Sequence, residues 1–393
     1  MNSQQHNTNA GWFLLLGVIL VGANLRAPLS SVGALIPFIR DDLGISNTLA
    51  GSITTLPLLA FALLSPFAPT IARRIGMERT IAAAIAVLIG GLALRSAGGT
   101  TALFAGTVFI GLAIAIGNVL MPAIVKLKFP LRIGFATGMY AVGMNVFGAL
   151  GSGLSVPMAE AGLEWRGALA IWGLLGIVTL AVWWSQLKHH QPYTPPAVAS
   201  GTAQRSVWRS PLAWNVTFFM GSQSLIYYSL ITWVPDILLN QGYSESGAGW
   251  LLFLMQVALI PVTFVVPMVA EKMKNQIPLA IYTGAAFIIG LCGFNTANTF
   301  FYPLWAILLG TAGGCAFSLS MMFFTLRTHS SKEAADLSGM AQSFGYLFAA
   351  LGPVLVGALY DITHSWTAPI GMLLVVCLIL LGNGLAASRD RKL

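Results

Sequence analysis

The sequence predicts an all-α polytopic membrane protein, with twelve transmembrane helices in two pseudo-symmetric six-helix bundles. Three observations carry this expectation. Hydrophobic residues make up 56% of the 393 residues and charged residues only 8%, and the mean hydropathy is +0.80. The apolar residues gather into long runs separated by charges and turn residues. The second half of the chain repeats the first. A soluble chain carries about 25% charged residues, and one this poor in charge could not cover its surface. Soluble enzyme classes are therefore excluded. Three cysteines in 393 residues exclude a disulfide scaffold, and the hydrophobicity excludes disorder.

A membrane helix needs about 20 mostly apolar residues. Cutting at charges and turn signals gives spans at 12–38, 47–71, 80–97, 101–125, 134–158, 166–187, 211–238, 245–270, 277–295, 300–326, 334–359 and 366–387. Outer-membrane barrel strands would be shorter and alternating, so these runs are helices. Residues 1–10 are polar and hold no Lys or Arg. They lack the basic region and cleavage site of a signal peptide, so the first span is expected to be retained.

The basic residues set the direction. With the N-terminus inside, the inner loops and the C-terminus hold 16 of the 20 Lys and Arg, from Arg73, Arg74 and Arg79 through to Arg389, Arg391 and Lys392. Arg40, Arg95 and Arg166 fall outside and Arg26 lies within a span. This bias predicts a multi-pass protein of the bacterial inner membrane with both termini cytoplasmic. The net charge of +8 is then a belt beside anionic lipid, not a nucleic-acid site. Residues 188–210, rich in Pro, Ser and other polar residues, form a cytoplasmic linker between bundles 1–187 and 211–393.

The repeat is read at a fixed offset. Shifting the chain by 198 residues lays 37–72 on 235–270 without a gap and matches, among others, Pro37 with Pro235, Gly44 with Gly242, Pro69 with Pro267 and Ala72 with Ala270. A shift of 201 matches Gly138-Met139 with Gly339-Met340 and Ala149-Leu150-Gly151 with Ala350-Leu351-Gly352. Ala and Leu recur by chance among apolar helices, but Pro and Gly at one offset point to duplication. Six spans per copy give both halves the same direction. Parallel six-helix repeats are the plan of transporters of the major facilitator type.

The ionisable residues are sparse within the spans. All twelve Asp and Glu fall in loops or at span ends, and His6, His189, His190, His329 and His364 are terminal or loop residues. A proton-driven pump usually keeps a titratable group in the membrane. Here the solute carries the proton, or loop acids couple it, or no proton is coupled. Arg26 is the exception, about 14 residues into the first span, in Gly22-Ala-Asn-Leu-Arg-Ala-Pro28. Burial at that depth costs about 2.5–3.5 kcal/mol. Arg26 could hydrogen-bond carbonyls freed by Pro28 or snorkel to the interface. The favoured reading is a site for an anion or a nitro group.

Asn24, Asn118, Tyr140, Asn145, Gln223, Tyr227, Tyr228, Gln256, Gln342 and Tyr346 are candidates to complete that site. For each the alternative is an ordinary interhelical hydrogen bond. Aromatic rings among them suit a small planar ligand. The glycines of the fifth span, Gly134, Gly138, Gly143, Gly148, Gly151 and Gly153, are read as helix packing, on a sliding interface between the halves. There is no phosphate-binding loop for ATP and no catalytic triad or His-Glu-x-x-His arrangement, and Cys292, Cys315 and Cys377 lack paired spacing. No enzyme, cofactor or metal is implied. A sensor on a transporter scaffold and a channel are the other classes. The longest loop, about 22 residues, offers no soluble domain for a sensor to signal through. Saturable counterflow would separate a carrier from both.

Two stretches resemble a known family. Residues 69–79, with Ile71, Ala72, Arg74 and Gly76, are similar to the cytoplasmic loop signature G-x-L-A-D-R-x-G-R of the major facilitator superfamily. Arg73 stands where that signature has Asp, while the second-half copy keeps an acid, Glu271, followed by Lys272. The resemblance implies that Arg73, Arg74, Gly76, Glu271 and Lys272 form a gating loop that pairs charges at the inner face. Asn24, Arg26, Pro28 and Ser31-Val32-Gly33, with Gly117-Asn118 and Met121-Pro122, resemble the cyanate-porter branch of that superfamily. That resemblance covers essentially the whole chain. It implies alternating-access efflux of a small planar nitro-bearing solute, 2-nitroimidazole. Import of cyanate or another small anion is the alternative. It implies a solute and membrane lipid as partners, no nucleic acid, and a monomer.

Overall fold

The computed structural model describes residues 2–45, 47–187, 206–295 and 299–393. Among them are fourteen α-helices and no strand. In chain order they are α1 (Asn2–Leu43), α2 (Asn47–Leu64), α3 (Ala68–Ile75), α4 (Met77–Ser96), α5 (Thr100–Lys128), α6 (Ile133–Met158), α7 (Glu164–Ala170), α8 (Trp172–Leu187), α9 (Pro211–Asn240), α10 (Glu245–Lys272), α11 (Ile277–Phe294), α12 (Tyr302–Leu326), α13 (Ser331–Thr363) and α14 (Thr367–Ala387). Among the described residues nine helices are long and apolar enough to cross a membrane, and the bent pair α2–α3 makes a tenth. The α7–α8 pair and the 30-residue α9 occupy the two remaining expected spans.

The second span is not continuous, contrary to the expectation of one helix over 47–71. It breaks at 65–67 with a 60° bend. Pro66 cannot donate to the turn before it, and Pro69 restarts the chain in the first turn of α3. Gly76 then links α3 to α4 at φ 92°, ψ 149°, a conformation that a residue with a Cβ rarely adopts. The sixth span also breaks, at Ile171 between α7 and α8.

The helices divide into two compact units, Met1–Pro130 with Met139–Gln204, and Leu131–Gly138 with Arg205–Leu393. The first turns of α6 thus pack with the second unit, although chain order puts α6 in the first bundle. Of the expected linker, 188–205 lies outside the described residues, and Val207–Arg209 form a short 3₁₀ turn.

Small residues let the helices touch. In the first unit a Cβ on Gly106 would sit 2.4 Å from the Arg95 amide nitrogen, so α4 and α5 meet backbone to backbone. Gly143 and Gly151 of α6 face the Ile19 and Ala27 carbonyls of α1. In the second unit Gly221 of α9 meets Gly345 of α13, and Gly310 and Gly314 of α12 face carbonyls of α10. Such close approach is what holds membrane helices together, since the hydrophobic effect supplies little between them. Gly134 and Gly138 instead meet Pro267 and Phe264 of α10, within the second unit. The glycine stripe expected on a sliding interface is therefore divided. Its Gly143, Gly148 and Gly151 part packs on α1 within the first unit.

Each unit also carries a polar brace near one end. In the first, Lys128 at the end of α5 pairs with the buried Glu78 of α4 at 2.8 Å, and the Trp183 indole donates to the Glu78 carbonyl at 3.0 Å. In the second, the buried Arg327 after α12 donates to Gln276 Oε1, and to the Ala387 and Ser388 carbonyls at 2.7 and 3.0 Å. Gln276 is the 198-residue counterpart of Glu78. Burial pulls the Arg327 guanidinium below its ordinary value and nearby Asp390 pushes it back up.

Candidate substrate site

Arg26 is half-buried in the middle of α1. Its stem lies on α6, where a Cβ at Gly148 would come within 2.6 Å of Arg26 Cγ. That glycine makes room for the long side chain. One turn back along α1, Gly22 makes room for the Tyr140 ring of α6 in the same way, since a Cβ there would lie 2.9 Å from Tyr140 Cδ2. Arg26 is within electrostatic reach of the Tyr140 hydroxyl. That hydroxyl in turn points at Asn118 Oδ1 of α5, 3.5 Å away. Tyr140 and Asn118 are almost fully buried. Thus α1, α5 and α6 bring Arg26, Tyr140 and Asn118 into one cluster of the first unit. It combines a cation, a phenol and an amide in an apolar setting, the groups needed to hold a compact anion or a nitro group. Asn145, on α6, donates to the carbonyl of Ala141 one turn back, at 2.9 Å.

Asn24 is turned towards α8. It is buried, and its Nδ2 donates to Thr179 Oγ1 of α8 at 2.7 Å and to the Leu20 carbonyl at 2.9 Å. Its amide ties α1 to α8, away from the α6 face that carries Arg26. The carbonyl of Pro28 itself accepts from Arg95 Nη1 and Ser31 Oγ, at 3.0 and 3.3 Å.

In the second unit Tyr227, Tyr228 and Gln256 lie together. The two tyrosine rings meet edge to face at 5.6 Å, and the Tyr227 hydroxyl donates to Gln256 Oε1 of α10 at 3.4 Å. Gly313 of α12 borders the Tyr227 ring. Gln223 and Gln342 are buried and donate to Ser224 and Ser338 of their own helices, at 2.6 and 2.8 Å. Tyr346 packs half-buried on the hydrophobic core of this unit.

The loop signature implies charge pairing at the inner face, but among the described residues no cation pairs with Glu271. Glu271 accepts from the first two amides of α6 instead, Ile133 N at 2.8 Å and Gly134 N at 2.9 Å. Helix N-termini have unsatisfied N–H groups and a partial positive charge, so a carboxylate satisfies both. On the first-unit loop Arg73 donates to Thr70 Oγ1 at 2.7 Å, and Arg74 is exposed, as is Lys272 on the other loop.

Sequence reasoning missed Arg95. It was read as an outer residue but is 1% exposed. The available signal was spacing, since Leu88, Leu92 and Arg95 fall on one face of α4. The two braces were missed as well, because their acceptors include backbone carbonyls. Among the described residues no group of three potential metal ligands forms.

Apolar helices long enough to cross a membrane, with Asn118 and Arg95 buried in one unit and Gln223 and Gln342 in the other, are those of a polytopic membrane protein. The chain belongs to the Major Facilitator Superfamily, whose family model matches residues 14–353. It is a transporter of small solutes, not an enzyme, and a multi-pass membrane protein. It is 42% identical over 382 residues to the uncharacterized transporter YycB of Bacillus subtilis, covering 97% of this chain and 94% of that one. It is 38% identical to the 2-nitroimidazole transporter of Escherichia coli over 384 residues, covering 97% and 96%. It is also 26% identical to the cyanate transport protein CynX of Escherichia coli over 359 residues, covering 90% and 91%.

Proposed function

We propose that the chain exports small planar nitro-bearing or anionic solutes such as 2-nitroimidazole across a bacterial inner membrane by alternating access. The Arg26 cluster of the first unit carries this reading. A guanidinium presented beside a phenol and an amide suits a nitro group or an azole anion, and the relative named a 2-nitroimidazole transporter is 38% identical along nearly the whole chain. In this reading Arg26 holds the charged end of the solute, and Tyr140 and Asn118 orient it. Tyr227, Tyr228 and Gln256 contribute a second aromatic and polar surface during the cycle, with both termini cytoplasmic. A solute bound as its anion, with its proton taken up alongside, couples to protons without a carboxylate in the membrane. Inward transport of cyanate by a monomer of the same kind is the second reading, favoured by the similarity to CynX.

The test is counterflow of 2-nitroimidazole in proteoliposomes, wild type beside Arg26→Gln, with cyanate as competitor. Loss of flux in a folded R26Q protein supports the reading. Undiminished flux removes Arg26 from the site, and absence of wild-type flux with both compounds removes the substrate assignment. Net flux that ignores an imposed pH gradient removes the proton coupling.

A further inference from the structure

Arg95 stands in the last turn of α4, among the largest fully buried side chains of the protein. Its backbone is fixed by the contact with Gly106 of α5. Nη1 donates to the Pro28 carbonyl of α1 at 3.0 Å, while Nε and Nη2 have no acceptor among the described residues. An apolar side chain would fill this space without desolvating a charge, so packing does not account for an arginine here. What the guanidinium adds is a rigid planar donor that reaches across to another helix. Its target is informative. Proline removes one bond from the ladder of α1 and lets the helix bend there, and Arg26 is two residues before Pro28.

We propose that Arg95 is a positioning residue for the substrate site. By holding the Pro28 carbonyl it fixes the course of α1 through the turn that Pro28 weakens, and with it the direction in which Arg26 presents its guanidinium. This rests on Arg26 binding the solute, as proposed above.

The experiment is 2-nitroimidazole counterflow in proteoliposomes with wild type, Arg95→Lys, Arg95→Met and Arg26→Gln, each checked for monodispersity and melting temperature. R95M is expected to raise KM about tenfold, the equivalent of about 1.4 kcal/mol of lost positioning, with Vmax per folded transporter within about twofold. R95K, whose amine can still reach the carbonyl, is expected to stay within about threefold of the wild-type KM. If R95M does not fold, Arg95→Gln, whose amide is too short to reach, carries the same expectation. A wild-type KM in R95M, or a fall in folded yield and melting temperature with KM unchanged, overturns the inference and leaves Arg95 a structural filler. The two ideas fail separately. An R26Q protein that transports like wild type defeats the Arg26 reading itself, whereas impaired R26Q beside normal R95M defeats only the role of Arg95.

Discussion

Replacing Glu271 with Gln should loosen the first turn of α6 and leave the rest of the helix intact. The carboxylate accepts from two adjacent amides at 2.8 and 2.9 Å. A glutamine keeps one acceptor oxygen but turns an NH2 donor towards the second amide, so one charge-assisted bond and the charge itself are lost. A hydrogen bond to a charged group contributes about 1.5–3 kcal/mol and an anion at a helix N-terminus about 0.3–1 kcal/mol, so a net loss of about 2 kcal/mol is reasonable for this half-buried group. At about 1.4 kcal/mol per tenfold, the Ile133 and Gly134 amides should exchange their hydrogens about 30-fold faster by local opening. Hydrogen–deuterium exchange on a peptide covering 129–138 measures this in lipid nanodiscs. The start of α13 supplies an internal control, because Ser330 accepts from the Glu333 amide at 3.2 Å and Glu333 accepts from the His329 amide at 2.7 Å, without Glu271. Unchanged exchange at 133–134, or an equal rise at both helix starts, would refute the capping argument.

Two further outcomes concern stability. Gly106→Ala should lower the melting temperature by several degrees, since its Cβ would lie 2.4 Å from the Arg95 nitrogen and 2.5 Å from the Gly91 carbonyl oxygen, and overpacking costs about 1–3 kcal/mol. Gly90→Ala, with nothing within 4 Å, should be neutral, and equal melting of the two variants would count against the close crossing. Lys128→Met should cost about 3–5 kcal/mol by stranding the buried Glu78 carboxylate, and adding Glu78→Gln should restore most of it. A double variant no more stable than the single, in a thermal unfolding assay, would show that the pair does not act as a unit.

Most of the helices were legible because a twenty-residue apolar run has few other uses. The expected boundaries of α5, α6, α9, α10 and α14 lie within a few residues of those observed. The break at 65–67 was written in Pro66 and Pro69, but hydropathy averages over such a step. Arg26 was legible because a charge amid apolar residues is conspicuous. Arg95 was not, because it stands at the end of an apolar run. There, one-dimensional hydropathy cannot separate a side chain leaving the membrane from one folded inward. Asn24 shows how little proximity in sequence says about direction. A polar residue two positions from Arg26 invites a shared role, yet two residues along a helix turn the side chain through about 200°, and Asn24 goes to α8. The target of Glu271 was illegible for a plainer reason. Backbone amides carry no letter in a sequence.

The two braces make one kind of fastening from different chemistry. At one end of each unit a cation closes the contact, Lys128 in the first and Arg327 in the second. The two cations do not align at an offset of 198, but the groups they bind do, Glu78 in one half and Gln276 in the other. A carboxylate neutralises its lysine outright. A neutral amide cannot, and the guanidinium, with five donors, takes the Ala387 and Ser388 carbonyls as well. Exchanging the acceptor at that one aligned position therefore turns an ion pair into a fan of neutral bonds, and a lysine, lacking the planar fork, would not serve the second unit as it serves the first.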